Sequence, residues 1–409
     1  MKKKLCALLL ALLCLAGCGG SGSKNWTPAP KSSAAPAWPL AETEAEALTE
    51  FSLNLLRENW NGENLLLSPL SVLSALGMTA NGAQGETLAQ MEAVLGLPVE
   101  ELNKTLAAWT ENLPRESACR ADLANALWLR DDGSLVPEET FLQTVADWYG
   151  AEVFSAPFDA GTRKDINRWV DRNTHGMIPE ILEDIPKDVV LYLVNALALE
   201  AEWETVYRTD QVWDHVFTTG EGEEQTGSFL YSSEGYYLKD DGAQGFLKLY
   251  KGGRWAFAAL LPEEGTALRD YLASLTGKGL HALLKHPEET LVEAAIPKFQ
   301  CRYGVNLVES LKAMGMPSAF LPGEANFSGM GTAAGPLFIS GVLHRTYLSV
   351  DEKGTKAGAA TAVAMSGGGG TEITPVVHLD RPFLYLLVDL ETGLPAFLGA
   401  VTELDASVR

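Results

Sequence analysis

The sequence predicts one α+β domain built around large sheets, and three observations carry that prediction. Helical periodicity dominates the first third of the chain and strand-like runs the last third. The regular strand–helix–strand alternation that a dinucleotide-binding fold requires is missing. The most apolar run beyond the N-terminal leader, V-V-L-Y-L-V-N-A-L-A-L from Val189 to Leu199, has no polar alternation, as befits a strand covered on both faces. The 409 residues, 46% of them apolar, are enough for one large domain.

The chain opens with Lys2, Lys3 and Lys4, followed by an apolar run from Leu5 to Leu15. That run is too short to span a bilayer comfortably and reads as a signal peptide. It ends Leu15-Ala16-Gly17-Cys18, the bacterial lipoprotein pattern, in which residues 1–17 leave and Cys18 receives lipid. The expectation is a lipid-anchored protein on the extracellular face of a bacterial membrane; ordinary secretory cleavage is the alternative. Residues 18–41 are rich in Gly, Ser, Pro and Ala, without the periodicity of a packed element, and read as a flexible tether. Residues 42–409 form the folded domain.

Composition narrows the partners. The formal net charge is −22, and loss of the leader lysines makes it more negative. With no dense basic cluster, nucleic acid is a poor candidate partner. Beyond the leader and Cys18 only Cys119 and Cys301 remain, enough for one disulfide but no framework, and free buried thiols are the expectation. The six histidines, His175, His215, His281, His286, His344 and His378, show no metal-ligand spacing. Neither a metal nor another cofactor is expected.

Along the domain, Glu42 to Glu58 reads as a helix with Leu48, Phe51 and Leu55 on one face. Leu65 to Leu67 is a short buried strand; Ser68 then caps a helix that starts at Pro69. That helix, to Thr79, is nearly all apolar or small and so buried all round. Further helices are expected at Glu86 to Val94, Pro137 to Tyr149, Asp165 to Thr174, Ala267 to Ser274, Leu280 to Lys285 and Asn306 to Met314. Strands are expected at Ala121 to Leu129, Ala151 to Phe158, Val189 to Leu199, Gly245 to Tyr250, Trp255 to Leu261, Leu291 to Phe299, Leu337 to Val350, Pro382 to Asp389 and Ala396 to Val401. Asn195, in the middle of the apolar run, needs hydrogen-bond partners or costs about 1–3 kcal/mol.

One stretch is unlike the rest. From Val350 to Gly370 the chain reads V-D-E-K-G-T-K-A-G-A-A-T-A-V-A-M-S-G-G-G-G. In an extended conformation Thr355, Ala357, Ala359 and Thr361 share one face, narrow enough to slide between two existing strands.

Taken with its neighbours, this stretch resembles one family. N-L-L-L-S-P-L-S at Asn64 to Ser71, N-G-A-Q-G-E-T at Asn81 to Thr87, I-N-R-W-V-D-R-N-T-H-G at Ile166 to Gly176 and L-V-N-A at Leu193 to Ala196, followed by Trp203, are similar to serpin segments. So are I-P-K-F at Ile296 to Phe299, A-F-L-P-G-E-A-N-F-S-G-M at Ala319 to Met330, V-L-H-R-T at Val342 to Thr346, D-E-K-G-T-K-A-G-A-A-T-A-V at Asp351 to Val363, and R-P-F-L-Y at Arg381 to Tyr385. The order is the family's, and the similarity runs from about Thr43 to Thr402.

The resemblance implies three β-sheets, about nine helices and an exposed reactive-centre loop, here about residues 352–379. It implies a monomer that is not an enzyme but a suicide inhibitor. A serine protease cuts the loop and forms a covalent acyl-enzyme, and the freed loop then inserts into the large sheet A and traps it. Glu352 resembles the acid at the loop base, Lys298 its salt-bridge partner and Trp203 the ring packed beside them, together the breach. Ser68, Ser71, Asn195 and His344 resemble the shutter under the centre of the sheet, which would partner Asn195. Gly354, Thr355, Ala357, Gly358, Ala359, Ala360, Thr361 and Ala362 resemble the hinge. Lys356 departs from the usual acidic residue and Gly358 from Ala.

Seventeen residues counted inclusively from Glu352 end at Gly368, so the resemblance puts the scissile bond at Gly368-Gly369, with Met365-Ser366 as the alternative. No Arg or Lys lies from Ala357 to Leu379, which points to elastase-like or chymotrypsin-like targets rather than trypsin-like ones. The other reading is a non-inhibitory serpin acting as a binding module or a protease substrate.

Overall fold

The computed structural model describes residues 22–31, 40–187, 189–355 and 374–405. Within them lie nine α-helices, three sheets of eight, six and four strands, and a two-stranded ribbon. The expected α+β architecture is present.

The eight-stranded sheet positions the site. Its path runs from Lys24–Asn25 through Glu152–Ala156, Cys119–Arg130, Leu191–Glu202, Gly354–Thr355 and Leu343–Val350 to Phe299–Asn306. The apolar run read as a buried strand from Val189 is the strand Leu191–Glu202, buried at Val194 and from Ala196 to Leu199 but only half-buried at Leu191, Tyr192, Leu193 and Asn195. Its antiparallel partner Cys119–Arg130 sets Asn125 directly opposite Asn195. On its other side it pairs with the two residues Gly354 and Thr355, which pair in turn with Leu343–Val350. Among the described residues, the strands Leu191–Glu202 and Leu343–Val350 do not pair with each other. They are the two walls of a slot.

Beneath the sheet runs the helix Pro69–Ala80. Ser68 caps it by accepting from the Ser71 N–H, Pro69 occupies its first position, and eleven of its twelve residues are buried. The all-round burial read from its composition is thus observed. The six-stranded sheet brings Ala243–Leu249 and Trp255–Pro262 against the C-terminal hairpin Phe383–Asp389 and Leu394–Val401, and all of these last three strands' residues are buried.

The structure departs from expectation at several elements. The helix Val99–Glu111 and the strands Val212–Thr218, Glu224–Glu234 and Tyr236–Lys239 lie in segments for which no element was expected. Phe299–Asn306 is a separate strand, and the helix after it starts at Val308. The last strand before the loop begins at Leu343, not Leu337.

The segment read as a flexible tether is docked where it is described. Lys24 and Asn25 pair with Ser155 and Phe154, the Trp26 N–H donates to the Val153 carbonyl at 2.7 Å, and Val153 N–H donates to Thr27 Oγ1 at 2.9 Å. Gln143 and Asp147 hold the backbone of Ala29 and Lys31. The reason is the exposed edge of Glu152–Ala156, whose backbone groups would otherwise lack strand partners on that side.

Candidate functional site at the top of the large sheet

Gly354 and Thr355 sit between the slot walls, opposite Glu202 and Ala201. The fit requires glycine first: at Gly354, with φ +153, an added Cβ would lie 2.0 Å from the Ala201 carbonyl oxygen. Thr355 is 1% exposed, and its Oγ1 lies 2.5 Å from the buried Tyr250 hydroxyl. A short polar side chain is accommodated there because it finds a partner; a bulky or charged one would not be.

The chain reaches this position through a tight turn. Asp351 Oδ1 accepts from the N–H groups of Lys353 and Gly354 at 2.8 and 3.2 Å. Trp203 holds the turn from below: its indole Nε1 donates to the Asp351 carbonyl and its backbone N–H to the Lys353 carbonyl, both at 2.9 Å. Tyr207 N–H donates to the Glu352 carbonyl at 3.0 Å. Lys298 Nζ donates to Glu352 Oε1 at 2.9 Å, so the breach pair and Trp203 stand together as the sequence suggested. Partial burial works to raise the Glu352 carboxyl, but the Lys298 hydrogen bond and charge outweigh it and hold it below the usual range. The pair is partly exposed and contributes at most about 1 kcal/mol.

Trp203 is fully buried and stacks on Tyr250, with centroids 4.6 Å apart and 5° between the planes. Under it lies a cation that sequence reading missed. Lys248 is 2% exposed; its Nζ is 2.8 Å from Glu234, 4.3 Å from the Tyr207 ring centroid and 5.4 Å from that of Trp203. Burial works to lower the ammonium, but Tyr207 and Glu234 raise it more, so the lysine stays charged. The signal available was a lone Lys in the apolar run Phe246-Leu247-Lys248-Leu249; its partner could not be read, because Glu234 lies on another sheet.

Lower in the slot, a cavity of about 350 Å³ is lined by Ser71 and Leu76 from the helix below, Leu193 and Asn195 from one wall, and His344 and Thr346 from the other. His344 Nε2 accepts from the Ser68 N–H at 3.1 Å, and Ser68 Oγ donates to the Ala396 carbonyl at 3.0 Å. Burial depresses the His344 imidazole to about 4, so the ring is neutral at ordinary pH. Of the residues read as the shutter, Ser71 and His344 are both joined to Ser68. Asn195 is not: its Nδ2 donates to Asn125 Oδ1 at 2.7 Å, across the adjacent strand pair. The register, which aligns Asn125 with Asn195, makes this nearer partner available before the shutter can be reached.

Ala357, Gly358, Ala359, Ala360, Thr361, Ala362, the two alternative bonds Gly368-Gly369 and Met365-Ser366, and the lipidation residue Cys18 lie outside the described residues. Cys119 and Cys301 are free and buried; burial pushes their thiols up to about 12 and about 11.

A large sheet with a slot, a loop entering its top and a helix beneath its centre define a serpin. The serpin (serine protease inhibitor) family model matches residues 46–404, and the chain belongs to that family. An uncharacterized serpin-like protein of Thermococcus kodakarensis is 30% identical, over 86% of this chain and 84% of its own. Human leukocyte elastase inhibitor is 29% identical, over 88% of this chain and 98% of its own. The crystal structure of the thermophilic serpin tengpin in its native state superposes with a TM-score of 0.86 and 40% identity, covering 93% of this chain and all of that one.

Proposed function

We propose that this serpin is a suicide inhibitor of serine proteases, with elastase-like or chymotrypsin-like enzymes as targets. The observation that carries the reading is the seating of Gly354 and Thr355 between the slot walls, which have no pairing with each other among the described residues. The first step of strand insertion is thereby already taken at the top of the sheet.

In the proposed mechanism the protease serine attacks the scissile carbonyl and its oxygen becomes acylated by the loop; the C–N bond breaks, the serine's proton goes to the new amine, and the downstream segment stays in the fold through its buried strands Phe383–Asp389 and Leu394–Val401. The upstream arm, still joined at Thr355, continues down the slot as a strand. Small residues at Ala357, Ala359 and Thr361 keep its inward face narrow, and the cavity by Asn195 and His344 gives that face room. Strand pairing on both sides then stabilises the inserted form and draws the acyl-enzyme along the sheet before water can release it. The similarity to a leukocyte elastase inhibitor and the absence of Arg or Lys from Ala357 to Leu379 support the target class.

The same reading takes the chain as a monomer joined to a bacterial membrane through lipid on Cys18. Metabolic labelling with a fatty acid tests that part: label is expected on the parent chain and lost in Cys18→Ser. For inhibition, the mature protein is incubated with a pancreatic or leukocyte elastase. A complex that survives SDS, together with a C-terminal peptide freed on denaturation whose mass locates the cut, is expected. Cleavage to completion with elastase left active would leave the chain a substrate.

A further inference from the structure

The fold brings together three metal-ligating groups that the sequence keeps far apart. A ring nitrogen of His281 and one carboxylate oxygen each from Glu42 and Glu46 lie within 4.8 Å of one another. Glu42 and Glu46 share a face of the first helix, Glu42–Asn59, by their four-residue spacing. His281 comes from the helix Gly277–Lys285, which packs closely on the first. At their contact a Cβ on Gly277 would lie 2.5 Å from the Glu50 nitrogen and 2.7 Å from the Glu46 carbonyl oxygen.

The histidine's state is what points to a ligand. His281 is 3% exposed, and its Nε2 is 2.9 Å from the Thr392 carbonyl oxygen. A carbonyl can only accept, so Nε2 carries a proton, and in the neutral ring that leaves Nδ1 with the lone pair. Nδ1 is buried and has no hydrogen-bond partner. A buried acceptor without a donor is uncommon in a folded protein. Gly393 closes on that same Nε2 edge of the ring: its φ is +73, and an added Cβ would lie 2.9 Å from His281 Cδ2 and Nε2.

We propose that His281 Nδ1, Glu42 and Glu46 form a divalent-cation site of the zinc class that ties the first helix to Gly277–Lys285. One imidazole nitrogen with two carboxylates suits zinc better than the all-oxygen preference of calcium or magnesium. Two carboxylates balance the metal charge, and the fourth position falls to water. The bond from His281 Nε2–H to a backbone carbonyl is the outer contact that metal-bound histidines ordinarily make. Lys278, whose Nζ is 3.9 Å from Glu46, is largely exposed and can swing away as the metal enters.

The test uses untagged mature protein, stripped with chelator, titrated with zinc chloride by calorimetry and with cobalt chloride by visible absorption. One saturable equivalent of zinc, cobalt bands of a four-coordinate nitrogen-containing site, and a higher unfolding midpoint in zinc are expected. The exposed-face variant Glu42→Gln/Glu46→Gln, which leaves the buried ring in place, should weaken zinc at least about tenfold and lose the midpoint shift. His281→Gln, whose amide reaches the Nε2 position and can still donate to the Thr392 carbonyl, should lose the cobalt bands. No saturable binding by the parent, or undiminished binding by Glu42→Gln/Glu46→Gln, would overturn the proposal, the second result by locating the metal elsewhere.

Discussion

Replacing Thr355 with arginine probes the site most sharply. Thr355 is 1% exposed between two strands, and its hydroxyl partners Tyr250 at 2.5 Å. Arginine there must either bury a guanidinium, at several kcal/mol, or leave the slot. Leaving it strips the fully buried Tyr250 hydroxyl of its partner, for about 1–3 kcal/mol. Taking about 4 kcal/mol as the total, and half of it as felt on the way into the sheet, insertion slows by about thirtyfold. If insertion and deacylation compete, that delay turns the protein from inhibitor into substrate. Thr355→Val is the control, since it keeps the branched shape, loses only the hydrogen bond and should still insert. The assay is the partition between SDS-stable complex and cleaved chain with elastase, measured for parent, Thr355→Arg and Thr355→Val. Cleaved product should dominate for arginine alone. A Thr355→Arg protein with the parent's partition would refute the claim that this residue must enter the slot.

Other perturbations follow from the same geometry. His344 is held near 4, below the ordinary imidazole value of 6.5, so between those values the unfolded chain takes up a proton that the folded one refuses. Stability should therefore fall by about 3 kcal/mol as pH drops from 6.5 to 4 and level off below. Denaturant unfolding across that range, with His344→Gln expected to lose this step, checks it. Lys248→Met strands the largely buried Glu234 carboxylate and should cost about 3–5 kcal/mol in urea unfolding, with much of it recovered when Glu234→Gln is added. Asn125→Ala removes the partner of Asn195 and of the Tyr149 carbonyl and should cost about 1–3 kcal/mol by the same measurement. Glu352→Gln breaks a partly exposed pair, so its effect on unfolding should stay within about 1 kcal/mol.

What could be read in advance follows the range over which each signal acts. The cap at Ser68, the buried helix after it and the apolar strand through Asn195 are local patterns, and they stand in the fold. The breach needed more than pattern: Lys298 and Glu352 are 54 residues apart, and only the family resemblance paired them. The Asn125–Asn195 bond depends on a strand register across 70 residues, which neither sequence periodicity nor motif encodes. Some misses did carry a signal: Phe299, Cys301, Tyr303 and Val305 alternate along a strand, and Leu102, Leu106 and Trp109 mark a helix face. The docked Lys24–Asn25 pair carried none, since two residues are too few for a period and the demand came from the edge they cover. His281 likewise looked isolated, because its carboxylate neighbours belong to a helix more than two hundred residues earlier.

The central claim is that the loop beyond Thr355 completes the sheet once it is cut. Thermal unfolding of the intact protein beside the same protein nicked in its loop, with both fragments retained, addresses it directly. Insertion adds a strand paired on both sides, so the nicked form should unfold roughly 10 °C or more above the intact one. An unchanged or lower midpoint after clean cleavage would contradict insertion, and with it the inhibitory mechanism.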